Sequence, residues 1–298
     1  MKKKKTNKQA LLLCSILLCG ILLALIILAY NLMQKMPEPS LPATDAPTVH
    51  TTAPTVSPTT EPTTVAATQA TTAPTEPVLQ ENPYTPEDFG FAGEYLTCLA
   101  GESVLGIDVS AYQPEVDWQQ VKAAGVEFVI LRAGFRGYGS TGNMKQDAAV
   151  LSHYSGAKQA GLKVGVYFFS QAVSVQEAIE EAEFLLDIIG DFQLDMPVAY
   201  DWEYISDTAR TANMDADTLT ACADAFCRTV RDAGFQPMIY VSENQNLLHL
   251  DQLAQYPLWV ALYDTGTTYP YKVAMWQYTN TGRIPGIAGN ADINLWLP

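Results

Sequence analysis

Beyond residue 100 the chain alternates short apolar, β-branched runs with longer segments of helical period. LGIDVS (105–110), FVILRAG (128–134), KVGVYFF (163–169), PVAYDWE (197–203), PMIYVS (237–242), LWVALY (258–263), VAMWQY (273–278) and ADINLW (291–296) read as strands. Segments 116–124, 145–160, 174–190 and 215–233 read as helices between them, and 243–254 as a shorter fifth. Runs that are apolar on both faces and joined by helices predict a parallel sheet covered on its outside. Eight of them predict a closed barrel. The 198 residues from 101 onward are fewer than the roughly 250 of a full (β/α)8 barrel. The last gaps are too short for helices, so this barrel closes with plain strands.

The N-terminal third follows neither pattern. Residues 10–33 are 24 positions without a charge, long enough at about 1.5 Å per residue to cross a hydrocarbon core. Five Lys precede the run and Lys35 follows it, which predicts a single-pass membrane anchor with a cytoplasmic N-terminus. A cleaved signal peptide is the competing reading, but the apolar stretch is long and no A-x-A site follows it. Pro, Thr and Ala then dominate to about Pro83, a composition with too little apolar surface to offset chain entropy. As polyproline-like chain, a tether of about 50 residues reaches roughly 150 Å. The expected organisation is a basic tail at 1–9, the anchor at 10–33, a linker at 34–97 and an extracellular domain at 98–298, positioned at a cell wall.

The net charge of −15 conceals a segregation, because residues 1–35 hold six Lys and no acid while the rest holds 11 basic residues against 32 acidic ones. An acidic body without clustered Lys or Arg excludes a nucleic-acid partner. Five Cys are too few for a disulfide scaffold, and Cys222 and Cys227, five residues apart on one predicted helix, are out of disulfide reach, so buried free thiols are expected. The three His (50, 153 and 249) are scattered, which argues against a His-rich metal site. No G-x-S-x-G elbow is present. Gly137–Gly142 matches G-x-G-x-x-G but opens no helix, so no dinucleotide cofactor is expected. The chain is expected to work without metal or cofactor, and as a monomer.

In a parallel barrel the functional groups collect at the C-terminal ends of the strands. Those ends carry Asp108 and Ser110, Arg132, Phe169, Asp201 and Glu203, Ser242, Asp264 and Gln277. The sharpest signal is AYDWEY (199–204). Asp201 and Glu203 are two apart on a strand, so both side chains face one way, with Cα atoms about 6.7 Å apart. Two carboxylates that close do not both ionise easily, which leaves a proton donor beside an anion, the pair that glycosidic bond cleavage uses. Asp108 in GIDVSAYQ would be costly to bury unpaired, and Asp292 and Asn294 share one face of the last strand. Aromatic residues mark the same rim: Tyr112, Tyr138, Tyr167, Phe169, Tyr204, Tyr240, Tyr263, Trp276 and Tyr278, a set suited to stacking on the C–H faces of sugars. EAIEEAEFLLDII reads as an amphipathic helix with a solvated acidic face.

Taken in order, GIDVSAYQPEVDWQQVKAAGVEFVILRAGFRGYG, AKQAGLKVGVYFFSQAVSVQEAIEEAEFLL, PVAYDWE and MWQYTNTGRIPGIAGNADINLW resemble glycoside hydrolase family 25, the muramidases of peptidoglycan. The resemblance runs over residues 105–298 and includes a D-x-S-x-x-Q start (Asp108 to Gln113), the D-x-E centre and a W-Q-Y to D-x-N end. It implies a (β/α)5β3 barrel and hydrolysis of the β-1,4 bond of N-acetylmuramic acid, with peptidoglycan glycan strands as the partner. By motif position, Glu203 is then the proton donor and Asp201 its partner carboxylate, either activating water or positioning the substrate's acetamido group. Asp108 and Asp292 are supporting acids, and Gln113, Arg132, Tyr167, Tyr240, Tyr263 and Gln277 are substrate contacts. GVYFFS departs from the more usual Y-H-F form, with Phe168 at the His position. Two alternatives stay open at this point: a non-catalytic wall-binding module and a hydrolase of another polysaccharide.

Overall fold

Every predicted strand from 105 to 296 forms, and together they close on themselves. The computed structural model describes residues 77–242 and 247–298. The predicted anchor and residues 34–76 of the predicted linker lie outside them, and no helix among the described residues is long and apolar enough to cross a membrane. In chain order come β1 (Phe89–Ala92), β2 (Tyr95–Cys98), β3 (Val104–Val109), α1 (Trp118–Ala123), β4 (Phe128–Arg136), β5 (Met144–Gln146), α2 (Val150–Gln159), β6 (Lys163–Ser170) and α3 (Val175–Ile189). Then follow β7 (Val198–Trp202), α4 (Ala216–Asp232), β8 (Pro237–Ser242), β9 (Leu258–Ala261), β10 (Met275–Gly282) and β11 (Ala291–Trp296). The barrel order is β3-β11-β10-β9-β8-β7-β6-β4, closed by pairing of β4 with β3. All neighbours are parallel except β11, which runs antiparallel to both β10 and β3. The short connection from β10 to β11, residues 283–290, leaves no room for the crossover that a parallel strand needs.

Local sequence sets the helix ends. Asp117, Ser174 and Asp215 cap α1, α3 and α4 by accepting bonds from main-chain N–H groups of the first turn. Helices α1, α2 and α4 each stop at Ala-Gly, where Gly125, Gly161 and Gly234 adopt φ of +93°, +76° and +91° and turn the chain back toward the next strand. The segment 243–254, expected as a fifth helix, is described from residue 247, where it forms a 3-10 turn at Leu250–Leu253.

Period-2 alternation sorts the strand residues into two cores. Outward positions such as Ile107, Val129, Leu131, Val164, Val166, Val198, Ile239 and Val260 are fully or almost fully buried under the helices. Inward positions Phe128, Ile130, Ala199, Met238, Tyr240, Trp259 and Met275 fill the barrel. Gly106 and Gly165 make that filling fit, since a Cβ at either would overlap the Phe128 ring or the Ile130 side chain respectively. Phe168 points outward and packs between Phe184 and Phe226, so it is a core residue with no place at the mouth. Trp276 and Tyr278, counted among the rim aromatics, also lie in the outer core.

Two expectations change. The linker set at 34–97 ends earlier, because Asn82 N donates to Pro270 O, Lys272 N donates to Gln80 O, and β1 and β2 form a hairpin over the barrel. Phe89 anchors this hairpin edge-on to Trp276, with ring centroids 5.0 Å apart. Its strands are only four residues each, too short for alternation to register beside a Pro/Thr-rich stretch. The predicted helix at 145–160 likewise begins with β5, an edge strand on β4, and becomes helical only at Val150. Gly137–Gly142 is the turn joining β4 to β5 and precedes no helix.

Candidate active site

Followed toward their C-terminal ends, the inward positions change from apolar to polar. Phe128 and Ile130 on β4 lead to Arg132, Gly165 on β6 to Tyr167, and Ala199 on β7 to Asp201 and then Glu203. A cleft of about 340 Å³ opens there, lined by Asp108, Gln113, Arg132, Tyr167, Phe169, Asp201, Glu203 and Asp292, with Tyr112 and Tyr138 on its rim. The four acids proposed from sequence therefore share one mouth.

Asp108 is the most elaborately held of them. Its Oδ2 accepts from Gln277 Nε2 at 2.7 Å and from Asn294 Nδ2 at 2.8 Å. Behind these amides, Tyr263 OH donates to Gln277 Oε1 at 3.0 Å and Trp259 Nε1 donates to Asn294 Oδ1 at 2.8 Å. The indole of Trp259 can only donate and the Tyr263 hydroxyl donates here, so each amide oxygen is taken and its NH2 faces the carboxylate. Burial still pushes the Asp108 pKa up to about 6, partly offset by these bonds. Asp292 lies directly opposite Asp108 across the antiparallel β11–β3 pair. Like charges so placed repel, and burial followed by the charges of Asp108 and Glu203 pushes Asp292 up to about 8.

Asp201 and Glu203 face the same cleft from the end of β7. Burial, then the neighbouring Glu203 and Asp108 charges, holds Asp201 well above the usual carboxylate range, and its Oδ1 has no hydrogen-bond partner among the described residues. Glu203 is raised by burial and by Asp108. Its main chain is pinned from below: Gln171 Nε2 donates to Glu203 O at 3.1 Å, while Gln171 Oε1 accepts from Thr211 Oγ1 at 2.8 Å. Gln171 stands just past the end of β6, a position the strand-end rule reaches, but Tyr167 and Phe169 are the residues of that segment that the sequence singles out.

Gln171 in turn rests on an ion pair, one member of which belongs to the helix face expected in solvent. Glu181 of α3, expected on a solvated acidic face, is completely buried. Its Oε1 accepts from Arg136 Nε at 2.7 Å and from Gln171 N at 3.2 Å, and its Oε2 from Ser170 Oγ at 2.5 Å. Helical period marks which face of α3 is apolar, but not that an Arg from β4 would enter that face. Asp147 was also missed. Buried between β5 and α2, it accepts from Arg132 Nε at 2.7 Å and from Ala111 N at 3.1 Å, fixing the loop after β3.

The proposed substrate contacts divide by location. Gln113 and Arg132 line the cleft with one polar group already engaged, Gln113 Oε1 by Ser110 N and Arg132 by Asp147, and Arg132 lies over the Tyr112 ring at 5.1 Å. Tyr167 lines the wall edge-on to Trp259. Tyr240, paired with Asp201 across β7 and β8, packs 4.9 Å from Trp259 and is almost fully buried. Tyr263 and Gln277 reach the site through the Asp108 network. His153 is buried beneath the loop, edge-on to Trp118. Cys98, Cys222 and Cys227 are free and buried.

These raised carboxyls act on stability. The folded forms of Asp108 and Asp292 keep their protons to about 6 and 8, whereas an unfolded Asp releases its proton near pH 3.8. Across that window the native state binds more protons, so stability falls as pH rises from about 4 to 8. Asp292→Asn is expected to flatten the upper part of this decline and raise the urea midpoint at pH 8 relative to wild type. Parallel urea titrations at pH 5 and pH 8 measure it, and an unchanged slope would refute the shift assigned to Asp292.

A closed barrel with acids and aromatics gathered at its C-terminal mouth places a polar cleft where barrel enzymes carry their active sites. Residues 107–287 match Glycosyl hydrolases family 25, and the chain belongs to that family. It is 30% identical over 193 residues to an autolytic lysozyme of Clostridium acetobutylicum, covering 63% of this chain and 54% of that one. The modular autolysin LytC from Streptococcus pneumoniae, solved with a synthetic peptidoglycan ligand, superposes with a TM-score of 0.57 at 27% identity, over 65% of this chain and 47% of that one. A bacterial lysozyme from Streptomyces coelicolor superposes with a TM-score of 0.53 at 25% identity, over 64% of this chain and 90% of that one. The chain thus spans about half the length of the first two relatives.

Proposed function

We propose that the domain is a muramidase that hydrolyses the β-1,4 bond between N-acetylmuramic acid and N-acetylglucosamine in peptidoglycan. The observation that carries this is the convergence of Asp108, Asp201, Glu203 and Asp292 on one cleft of a family 25 barrel, with the pKa of every one raised. Glu203, half-buried at the end of β7, holds its proton above the usual range and donates it to the glycosidic oxygen as the C–O bond breaks. Asp201, on the same face two residues earlier, meets in its ionised form the positive charge that develops at the sugar carbon; water then supplies the new hydroxyl, and its other proton returns to the carboxyl pair, restoring the acid form of Glu203. Asp108, fixed by Gln277 and Asn294, places a further acid against the pair.

The sequence supports the setting of this activity. An uncharged 24-residue run flanked by Lys, followed by a Pro/Thr-rich tether, fits a single-pass membrane protein with its N-terminus in the cytoplasm and the barrel held out in the cell wall. Digestion of purified peptidoglycan by the full chain, with mass spectrometry of the products, tests the chemistry. The expected result is muropeptides with N-acetylmuramic acid at the new reducing end. A reducing N-acetylglucosamine, or wall retention without any product, would overturn it.

A further inference from the structure

A second groove lies beside the catalytic cleft, and its outer wall comes from β1 and β2, which precede the family 25 region at 107–287. It encloses about 530 Å³ between the hairpin, the loop after β9 and the β10–β11 hairpin, within the range of ligand pockets. Phe91, at 61% exposure, stands on one side and Tyr263, at 53%, on the other. Between them lie the hydroxyls of Thr279 and Thr281, with Glu94 and Arg283 at the edge. The hairpin is held rigidly: Phe89 and Leu96 are buried in the outer core, and Tyr95 OH donates to Arg283 O at 3.3 Å. A fixed hairpin that leaves its Phe in solvent over a hydroxyl-lined trough presents a flat apolar face without a core role.

Groove and cleft share a wall. The Tyr263 hydroxyl donates to Gln277, whose amide holds Asp108, and the charges of Asp292, Asp108 and Glu203 reach that hydroxyl. The Tyr263 ring meanwhile lines the groove. On β11, Asp292 lines the cleft and the next residue, Ile293, lines the groove. The two therefore lie on opposite faces of β11 and are joined through Tyr263 and Gln277.

We infer that this groove is an accessory saccharide site that holds the continuing glycan strand, with pyranose C–H faces against Phe91 and Tyr263 and sugar hydroxyls on Thr279 and Thr281. The inference rests on the proposed glycan hydrolysis. Aromatic faces attract C–H edges, and Glu94 and Asp264 beside a single Arg283 leave no surplus positive charge, so the groove is not built around an anion and the rings and hydroxyls carry the contact. A peptide stem is the other part of the same polymer, and the experiment separates the two.

Phe91→Ala removes an exposed ring and leaves the Phe89 and Leu96 anchors in place. In the full chain, it is expected to lower kcat/KM on long glycan strands about tenfold, through KM, while leaving the shortest cleaved oligosaccharide unaffected. Phe91→Tyr is expected to retain wild-type values. The same loss is expected on strands stripped of their peptides by an amidase. Equal losses on short and long substrates, no loss on long ones, or a loss that vanishes on stripped strands would each overturn the saccharide site. Calorimetric binding of stripped strands, with and without Phe91→Ala, keeps the two proposals distinguishable. Binding weakened by the substitution in a chain that cuts nothing upholds the groove while the muramidase reading falls, and binding indifferent to it rejects the groove.

Discussion

Glu203→Gln is expected to reduce turnover on peptidoglycan by about 10²–10⁴-fold, the contribution typical of a positioned general acid, with little change in KM. Gln fills the same space but has no proton to give the leaving oxygen. The fold is expected to persist, because the bond that Glu203 receives from Gln171 goes to its main-chain carbonyl, which the substitution keeps. Removing the charge also relieves Asp201 and Asp292, both raised in part by Glu203, so stability at pH 8 is expected to match or exceed wild type. Steady-state rates of reducing-sugar release and a urea titration on the same preparation measure both effects. Activity within tenfold of wild type would remove Glu203 from the role of proton donor.

Arg136→Met is expected to lower unfolding free energy by about 3–5 kcal/mol near pH 8, because it strands the buried Glu181 carboxylate. Arg136 also donates to Gly142 O at 3.0 Å and to Glu177 O at 3.1 Å, so the turn between β4 and β5 and the first turn of α3 loosen together. In the wild type, burial pushes Glu181 up to about 7 even with Arg136 beside it. Without the guanidinium the carboxyl holds its proton higher still. The native variant then binds more protons than its unfolded state over a wider window, and its deficit is expected to shrink at pH 5 and grow toward pH 8. A deficit independent of pH would show that lost packing, not the stranded charge, carries the effect. Since Gln171 N donates to Glu181 Oε1, the same variant is expected to turn over more slowly through displacement of Gln171 and, with it, Glu203.

The two substitutions act at opposite depths of one support. Glu203 faces the cleft, Gln171 holds its backbone, and Glu181 with Arg136 holds Gln171. Asp108 has a separate support through Gln277 and Asn294. The proposed donor and its supporting acid are therefore oriented by different parts of the barrel, the first by the β6–β7 side with α3 and the second by β10 and β11.

Local periodicity determined the strands, the main helices and their order, because each depends on residues within a few positions of one another. Asp201 and Glu203 facing one way follows from the two-residue repeat of a strand and needs no fold. The hairpin at 89–98 was not legible, since four-residue strands carry too little alternation to stand out from a Pro/Thr-rich neighbourhood. Only tertiary structure decided the rest of the site. Asp108 and Asn294 are 186 residues apart, and antiparallel entry of β11 between β3 and β10 brings them to 2.8 Å. Glu181 reads as one more acid on a charged helix until barrel closure sets Arg136 of β4 against it. Pairing a buried charge is a long-range event, and nothing in the spacing along one element specifies which distant partner will share its low-dielectric surroundings.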